Sequence, residues 1–427
     1  MLSLVLCLTK VAEAKPRMSN LNVLAISVGN VEDKNRVYAD YCHGIKVNSK
    51  NYYFVDYLEL YLKIGKKAFE KQIEDLVITK KIDCIFFILN SGDLTFDVHF
   101  MEKLSKRALI IMNFYDSHIF FETVDRYYAQ AADLVLVPDY LIKFQYESLN
   151  INAICSFILF NKDYYRKYEN TSKSIDASFV GDVTRKKRLE YIDFLRKNNI
   201  AIRVFGRGSK EGFADFNQMV EIFNKSKINL NFTGINDSGH LILGKKIADR
   251  INLCTGRTSE IALCGGFQLA EYANGMEKMF EIGEEIDVFR TKDELLSKIK
   301  FYLADGAERE RIAKNGYERA KRDYDTAGGF SKIFDAIAKI KKTDKVIYLD
   351  RDFLRNYVSV RFYYMTRFLL MGRFDNFFEE FKIFFRYGRV NFSQVYAYIL
   401  KAISIHLDRY PAVKVKLKRC LGVSLKH

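Results

Sequence analysis

The feature that most constrains the fold is a series of short apolar runs separated by longer amphipathic stretches. In the first half of the chain the apolar runs are 21–29, 52–57, 82–90, 108–114 and 133–138. Helical patterns lie between them, for example at 66–80 and 122–131. Strands that are apolar throughout are typical of a parallel sheet covered by helices on both faces. We therefore predict a Rossmann-like α/β domain over residues 19–165.

The same alternation starts again after a polar stretch at 161–175. The later apolar runs are 177–181, 202–206, 227–232, 266–270 and 286–290. Helical patterns follow at 184–198, 213–226, 258–264, 293–304 and 307–322. We predict a second Rossmann-like domain over 176–343. Ligands of such sheets bind at the carboxyl ends of the strands, so we expect a cleft between the two domains.

The two ends of the chain depart from this pattern. Residues 1–18 hold a short apolar run without a basic segment before it, so we predict an N-terminal extension rather than a signal peptide. Residues 344–427 show helical patterns only, with 18 aromatic, 16 basic and 7 acidic residues. This extension either contacts an anionic surface such as a membrane or caps the second domain. The density of apolar residues at 377–388 favours the cap.

Cysteine usage and hydropathy indicate the compartment. The seven cysteines show no CxxC spacing, and most lie within apolar runs. This pattern predicts reduced core thiols rather than disulfides or a zinc site. Since no run of about 18 uncharged apolar residues occurs, we expect no membrane-spanning helix. The expected location is the cytoplasm, with the inner face of the membrane as the place of any peripheral contact.

Two loops that follow strands of the second domain carry glycine and cationic residues. Gly181 precedes Arg185 and Arg188 at a helix start, and Gly206 precedes Arg207 after the next strand. Glycine lets the backbone approach a phosphate, while helix amides and cationic side chains neutralise its charge. A solvent-facing basic turn would explain the same residues, and each motif alone is weak.

A third loop leads into the sequence GRTSEIALCGG, residues 256–266. Thr258 or Ser259 as the cap and the pair Gly265–Gly266 as the stop explain a short helix. They do not explain Arg257 and Glu260 in its first turn. A carboxylate there is favoured by the helix dipole, and it can also accept hydrogen bonds from the two hydroxyls of a ribose.

Taken in order, these segments resemble the CgeB-like glycosyltransferase family of the GT-B superfamily, which includes the group 1 glycosyltransferases. The motifs SKINLNF and FEIGEEIDVF and the helical stretch that begins DELLSKIKFYLADG complete the resemblance, which is closest over 176–340. It implies the GT-B fold, in which two Rossmann-like domains face a cleft. It also implies transfer of a sugar from a nucleotide-diphosphate donor to a cell-surface polysaccharide, glycolipid or protein acceptor, without a metal or other cofactor.

The resemblance also assigns residues to the site. In it Glu260 binds the ribose, Arg257 faces the diphosphate or sugar, and Gly206 with Arg207 borders the base. The full set of implied donor-binding residues is Gly181, Arg185, Arg188, Gly206, Arg207, Arg257, Glu260, Gly265 and Gly266. Asp116 and His118, in a loop of the first domain with Asn113, are the candidates for catalysis on the acceptor side.

Two departures leave an alternative open. Asn252 stands where a related pattern has a second glutamate, and the segment 323–329 lacks the histidine that the family has there. A non-catalytic GT-B-like scaffold would fit these changes. The sequences DYD at 323–325 and DRD at 350–352 are interpreted as charged helix or loop residues, not as a metal motif. We expect no nucleic-acid partner, because the basic and aromatic sheet motifs of RNA binders are missing.

Overall fold

The computed structural model describes residues 20–28, 36–89, 96–234, 252–388, 390–408 and 410. The first domain contains strands β1 (Asn22–Ser27), β2 (Asn51–Asp56), β3 (Cys84–Ile88), β4 (Leu109–Asn113), β5 (Leu134–Val137) and β6 (Ala153–Cys155). All strands are parallel, in the order β2-β1-β3-β4-β5-β6. The five predicted strands are confirmed, and β6 is additional. All five residues of β3 are buried, as expected for a strand covered on both faces.

Helices cover this sheet on both faces. They are α1 (Arg36–Asn48), α2 (Tyr57–Ile64), α3 (Lys66–Thr79), α4 (Val98–Ser105), α5 (Ser117–Phe120), a π-helical turn (Phe121–Asp125), α6 (Arg126–Ala129) and α7 (Tyr140–Glu147). Aspartates cap several of them. Asp139, for example, accepts the backbone N–H of Leu141 at 2.8 Å, which satisfies one of the open donors at the start of α7.

The second domain repeats the design with a five-stranded parallel sheet. Its strands are β7 (Ile175–Val180), β8 (Ile202–Phe205), β9 (Ser226–Asn231), β10 (Gln268–Glu271) and β11 (Asp287–Phe289). Its helices are α8 (Lys186–Lys197), α9 (Phe216–Lys225), α10 (Gly256–Leu263), α11 (Met276–Met279), α12 (Lys292–Ala304) and α13 (Gly306–Asp323). The strand order is β11-β10-β9-β7-β8. The connections therefore change direction between β7 and β9, the point where doubly wound sheets bind ligands.

The chain crosses between the domains twice. The linker meets the end of α13, where Phe160 donates its backbone N–H to Tyr324 O at 3.1 Å and Thr326 N donates back to Phe160 O at 3.1 Å. The helix that follows, α14 (Thr326–Ile337), packs on α1 of the first domain. A Cβ on Gly44 of α1 would lie 2.4 Å from Phe330 Cδ2, so the two helices touch closely. Helix α14 thus contacts the first domain, although it lies within the range predicted for the second. The predicted end of the second domain at residue 343 remains a prediction.

Three helices end the described chain: α15 (Arg351–Leu370), α16 (Phe374–Tyr387) and α17 (Phe392–Leu407). Phe353, Tyr357 and Phe368 of α15 share a hydrophobic core with the first sheet. The predicted packing of this extension on the second domain is therefore wrong. The sequence pattern predicted the helices, but it did not indicate which domain their apolar faces pack against. No helix in the described ranges is long and apolar enough to cross a membrane.

Candidate functional site

The loops after β7 and β8 are joined at the carboxyl edge of the second sheet. Gly181 donates its backbone N–H to Phe205 O at 2.8 Å, and Val183 donates to Arg207 O at 3.0 Å. Gly206 has φ +123°, and a Cβ there would lie 2.2 Å from the Gly181 carbonyl oxygen. Both glycines therefore serve the contact between the loops. The Gly181 amide is already bonded and is not a free donor for a phosphate, and a Cβ at this position would lie 2.7 Å from Phe179 Cζ.

Two arginines at the start of α8 lie at the point where the strand connections change direction. Arg185 donates to Gly234 O at 3.3 Å. Arg188 donates to the carbonyl oxygens of Asp182 at 3.2 Å and Phe232 at 3.3 Å. Neither guanidinium group forms an ion pair with a carboxylate of the described residues. Both Nε atoms are buried and lack a hydrogen-bond partner in that part of the chain.

Burial makes this pair electrostatically costly. Desolvation lowers the pKa of Arg185 below its ordinary range. Desolvation and then the neighbouring charge of Arg185 lower the pKa of Arg188 to about 10. The charges of Asp182 and Glu271 offset this only in part, so two adjacent, partly buried cations without a direct ion pair to any carboxylate of the described residues form a site that a diphosphate would stabilise. Gly181, Arg185 and Arg188 thus all lie in the loop and helix start that follow β7, and their role in donor binding remains a prediction.

A carboxylate that the sequence analysis missed lies beside them. Glu271 ends β10, and its side chain is only 4% exposed. It accepts the backbone N–H groups of Thr233 and Gly234, each at 3.2 Å, and pairs with Lys187 at 2.5 Å. Glu271 therefore fixes the loop that follows β9. The sequence did contain a signal for Glu271, because an acidic residue ends the apolar run of β10. Ligands are expected to bind at that edge of the sheet.

The first turn of α10 holds the third part of the site. Asn231, the last residue of β9, donates to Thr258 Oγ1 at 3.0 Å, so α10 begins at the same sheet edge. Arg257 Nη1 lies 2.6 Å from Glu260 Oε2. The other carboxylate oxygen, Oε1, accepts the Tyr165 hydroxyl at 3.1 Å. Arg257 and Glu260 thus form an ion pair on one helix turn, and a linker tyrosine holds the carboxylate from the other side.

Two predicted donor residues lie elsewhere. Gly265 and Gly266 end α10 and precede β10, so they lie at the amino edge of the parallel sheet. Gly265 has φ +67°, typical of a helix end. A Cβ on Gly266 would lie 2.7 Å from Asn229 Nδ2 and 3.0 Å from Phe223 O. We correct the expectation for both glycines: they end the helix and permit close packing.

Arg207 is exposed, and its backbone carbonyl joins the loops that follow β7 and β8.

The candidates from the first domain follow β4. Asp116 begins α5, and both Asp116 and His118 are half-buried. Between them, Ser117 donates to Asp125 Oδ2 at 2.7 Å, which anchors the short helix. The carboxyl edges of the two sheets face one another, since a Cβ on Gly275, after β10, would lie 3.7 Å from Tyr140, after β5. The catalytic role of Asp116 and His118 remains a prediction.

The departures from the family pattern have structural roles. Asn252 donates to Tyr272 O at 3.0 Å, which holds the chain end of β10. Asp323 pairs with Arg319 at 2.8 Å and with Lys332 at 2.7 Å, and Asp350 caps α15 by accepting Phe353 N at 2.8 Å. The acidic motifs thus belong to helix ends, as interpreted. No group of three potential metal ligands occurs in the part of the chain that the structure describes.

Comparison with known proteins agrees with this geometry. Residues 185–334 match the model of a family described as glycosyl transferase-like. HepE from Anabaena, solved in complex with UDP, is similar with a TM-score of 0.52 and 11% identity over 75% of this chain and 100% of HepE. A glycosyltransferase from Rickettsia africae gives a TM-score of 0.50 and 10% identity over 75% and 100% of the two chains. The chain has the GT-B fold and carries a glycosyltransferase domain. No curated protein sequence matches it.

The glycosyltransferase domain covers α8 to most of α14. It includes Arg185, Arg188, Arg257 and Glu260, whereas α15 to α17 lie outside it. The predicted GT-B fold is confirmed. The assignment to the CgeB-like branch stays a prediction.

Proposed function

We propose that the protein is a metal-independent glycosyltransferase that takes its sugar from a nucleoside-diphosphate donor. The observation that carries the proposal is the pair of partly buried guanidinium groups of Arg185 and Arg188 at the sheet's ligand edge. HepE, which shares the fold, has been solved with UDP and with UDP-glucose. This supports a uridine or related nucleotide as the donor carrier.

The chemistry requires stabilisation of the leaving diphosphate while positive charge develops on the sugar. Fixed cations in a site of low dielectric do this without a metal ion, and loss of one such group costs ~3 kcal/mol of the barrier reduction. Arg185 and Arg188 would neutralise the diphosphate. Glu260 would accept the ribose hydroxyls, and Arg257 would orient that carboxylate while it faces the diphosphate or sugar.

The acceptor belongs to the first domain in this proposal. Asp116 would accept the proton of the attacking hydroxyl, with His118 as the second candidate. We propose a cell-surface polysaccharide, a glycolipid or a protein as the acceptor, and a member of the CgeB-like branch acting in the cytoplasm. The support for these finer points is the order of sequence motifs over 176–340.

The test separates the parts of the donor. Thermal unfolding is followed with UDP, GDP, ADP, CMP and inorganic pyrophosphate. A ligand at one hundred times its Kd stabilises by ~2.7 kcal/mol. We expect Glu260→Gln to lose the response to the nucleotide and keep the response to pyrophosphate. Arg188→Gln should lose both responses, and Arg196→Gln, near the end of the same helix, should lose neither. If none of these ligands stabilises the wild-type protein against thermal unfolding, the proposal is contradicted.

A binding scaffold without transfer activity is the alternative, favoured by Asn252, which serves the backbone of β10. Hydrolysis or transfer of the sugar from the responding nucleotide sugar separates the two. Release of nucleoside diphosphate that Asp116→Asn abolishes, with nucleotide binding retained, supports the enzyme. Binding with no release in the presence of cell-envelope glycans supports the scaffold.

A further inference from the structure

A row of phenylalanines runs along the exposed side of α16. Phe374, Phe378, Phe381 and Phe385 follow one another at spacings of four, three and four residues, which places them on one face of a helix. Phe374 is 58% exposed, Phe378 54% and Phe385 70%. The rings of Phe381 and Phe385 lie 4.8 Å apart. The helix thus presents a continuous aromatic stripe, which we call the phenylalanine stripe.

The opposite face of α16 is the one that packs on the protein. Glu380 on that face is 0% exposed and pairs with Arg361 of α15 at 3.3 Å. The phenylalanine stripe is therefore not the core-facing side of the helix.

The chain on both sides of α16 adds further exposed apolar residues. Before the helix, Leu369 is 50% exposed and Met371 40%. After it, Phe392 is 82% exposed and Tyr396 58%. Single exposed apolar residues are common on soluble proteins, but a set of this size on neighbouring segments indicates a contact surface.

Basic side chains accompany the phenylalanine stripe. Lys382 and Arg386 occupy the next row of α16, both are exposed, and neither pairs with a carboxylate of the described residues. Asp375 and Glu379 stand in the same row nearer the helix start, so the positive charge is concentrated toward its end. In sequence, residues 411–427 add five basic and no acidic residues. The partner must accept aromatic rings and carry negative charge.

We propose that α16 docks on an anionic membrane surface. The phenylalanine stripe enters the boundary between headgroups and acyl chains, and Lys382 and Arg386 contact lipid phosphates. A helix of 14 residues is about 21 Å long, which suits a helix lying in the plane of the interface. A lipid layer receives a row of rings without a matching groove and supplies phosphates along its whole surface. A second copy of the chain is the alternative occupant of this face, and the experiments below distinguish it from a lipid surface.

Docking would place the first domain at the membrane, because α15 to α17 pack on that domain. The inference does not depend on the nature of the donor or on transfer activity. The experiments below therefore test it separately from the proposed function.

The absence of tryptophan from the chain allows a direct test. In Phe385→Trp the only indole reports on the phenylalanine stripe, and in the control Phe213→Trp it reports on an 85% exposed site in the second domain. We expect a blue shift of the Phe385→Trp emission on addition of vesicles of phosphatidylcholine with phosphatidylglycerol. The shift should be smaller with phosphatidylcholine alone, and Phe213→Trp should show none.

Sedimentation with the same vesicles measures the binding itself in the full chain. Phe378→Ser/Phe385→Ser should reduce the bound fraction at least about tenfold relative to wild type. Lys382→Gln/Arg386→Gln should reduce it mainly for the anionic vesicles, and Phe301→Ser, on α12, should leave it unchanged. Unchanged thermal unfolding of each variant shows that the fold is intact.

Three results would overturn the proposal. The first is an unshifted Phe385→Trp emission together with no sedimentation. The second is a blue-shifted emission without vesicles that depends on protein concentration, since this would assign the phenylalanine stripe to contact between copies. The third is a shift with RNA but not with vesicles, which would assign the surface to nucleic acid.

Discussion

Tyr165 donates its hydroxyl hydrogen to Glu260 Oε1 at 3.1 Å, from the linker that joins the two domains. Its ring packs edge-on against Phe216, with centroids 5.0 Å apart. Burial and the charge of Glu260 raise the pKa of Tyr165, so the hydroxyl remains a donor at neutral pH. With Arg257 on the other oxygen, the carboxylate is held by its own helix and by the linker.

Tyr165→Phe should weaken nucleotide binding without unfolding the protein. The substitution keeps the ring packing and removes one hydrogen bond of about 1 kcal/mol, equivalent to about fivefold in Kd. Calorimetric titration with the responding nucleoside diphosphate measures the change. Tyr164→Phe is the matched control, because Tyr164 is a 49% exposed neighbour. Equal affinities of the two variants would show that the linker does not position Glu260.

Gly206→Ala should disrupt the joined loops of the candidate site. A Cβ at Gly206 would lie 2.2 Å from Gly181 O, in a backbone region with φ +123° that residues other than glycine avoid. We expect a stability loss of about 2 kcal/mol or more in urea unfolding and loss of the pyrophosphate response. Gly212→Ala separates strain from contact, since Gly212 has φ +78° and no atom within 4 Å of its Cβ position. Similar stability losses in both variants would mean that backbone strain, and not the contact with Gly181, causes the loss in Gly206→Ala.

The sequence predicted most of the fold because its strands are apolar on both faces. The runs at 84–88 and 109–113 are too short for ordinary helices and rich in isoleucine, which favours buried strands. Strand β6 was missed because it has only three residues. Helix α14 was missed because Gly328 and Gly329 lie in its first turn, where propensity argues against a helix. A Cβ on Gly329 would lie 2.6 Å from Leu159 Cδ1, so tertiary packing requires the glycine.

The candidate site was predictable only where its residues are close in sequence. Arg257 and Glu260 are three residues apart on one helix, and their spacing indicates a shared face. The partner Tyr165 is 95 residues away from Glu260, and no local pattern connects them. Glu271 and Lys187 likewise meet only because β10 and α8 reach the same sheet edge. Such contacts depend on the order of the strands in the sheet, and the hydrophobic periodicity of the sequence does not predict that order.

Diphosphate binding should weaken as the pH rises through about 10. Burial lowers the pKa of Arg188 from its ordinary value to about 10, so its side chain is charged below that pH and loses charge above it. The unfolded chain binds the proton more tightly, so the charged group costs folding free energy at neutral pH, and this cost is lost as pH rises above about 10. A bound diphosphate should offset the same cost.

Titration of the protein with pyrophosphate at several values between pH 7 and 11 checks this pH dependence. Wild type should bind equally well up to about pH 9 and then lose affinity. Arg188→Gln should bind weakly throughout and lack this step. Arg196→Gln, altered at an exposed position on the same helix, should follow the wild-type curve. A wild-type affinity that is flat to pH 11 would contradict the role of Arg188.

Glu380→Gln should destabilise the protein far more than the neighbouring change Glu379→Gln. Glu380 and Arg361 are both 0% exposed and lie 3.3 Å apart, and Tyr61 of α2 also donates to Glu380. Removing one charge of a buried pair typically costs ~3 kcal/mol or more. Among the described residues Glu379 accepts only a long 3.4 Å hydrogen bond from Lys67 N, so its change should cost less than about 0.5 kcal/mol. Urea unfolding of both variants measures the difference. Because the pair joins α15 and α16 to the first domain, equal stabilities would show that this buried contact does not hold the C-terminal helices in place.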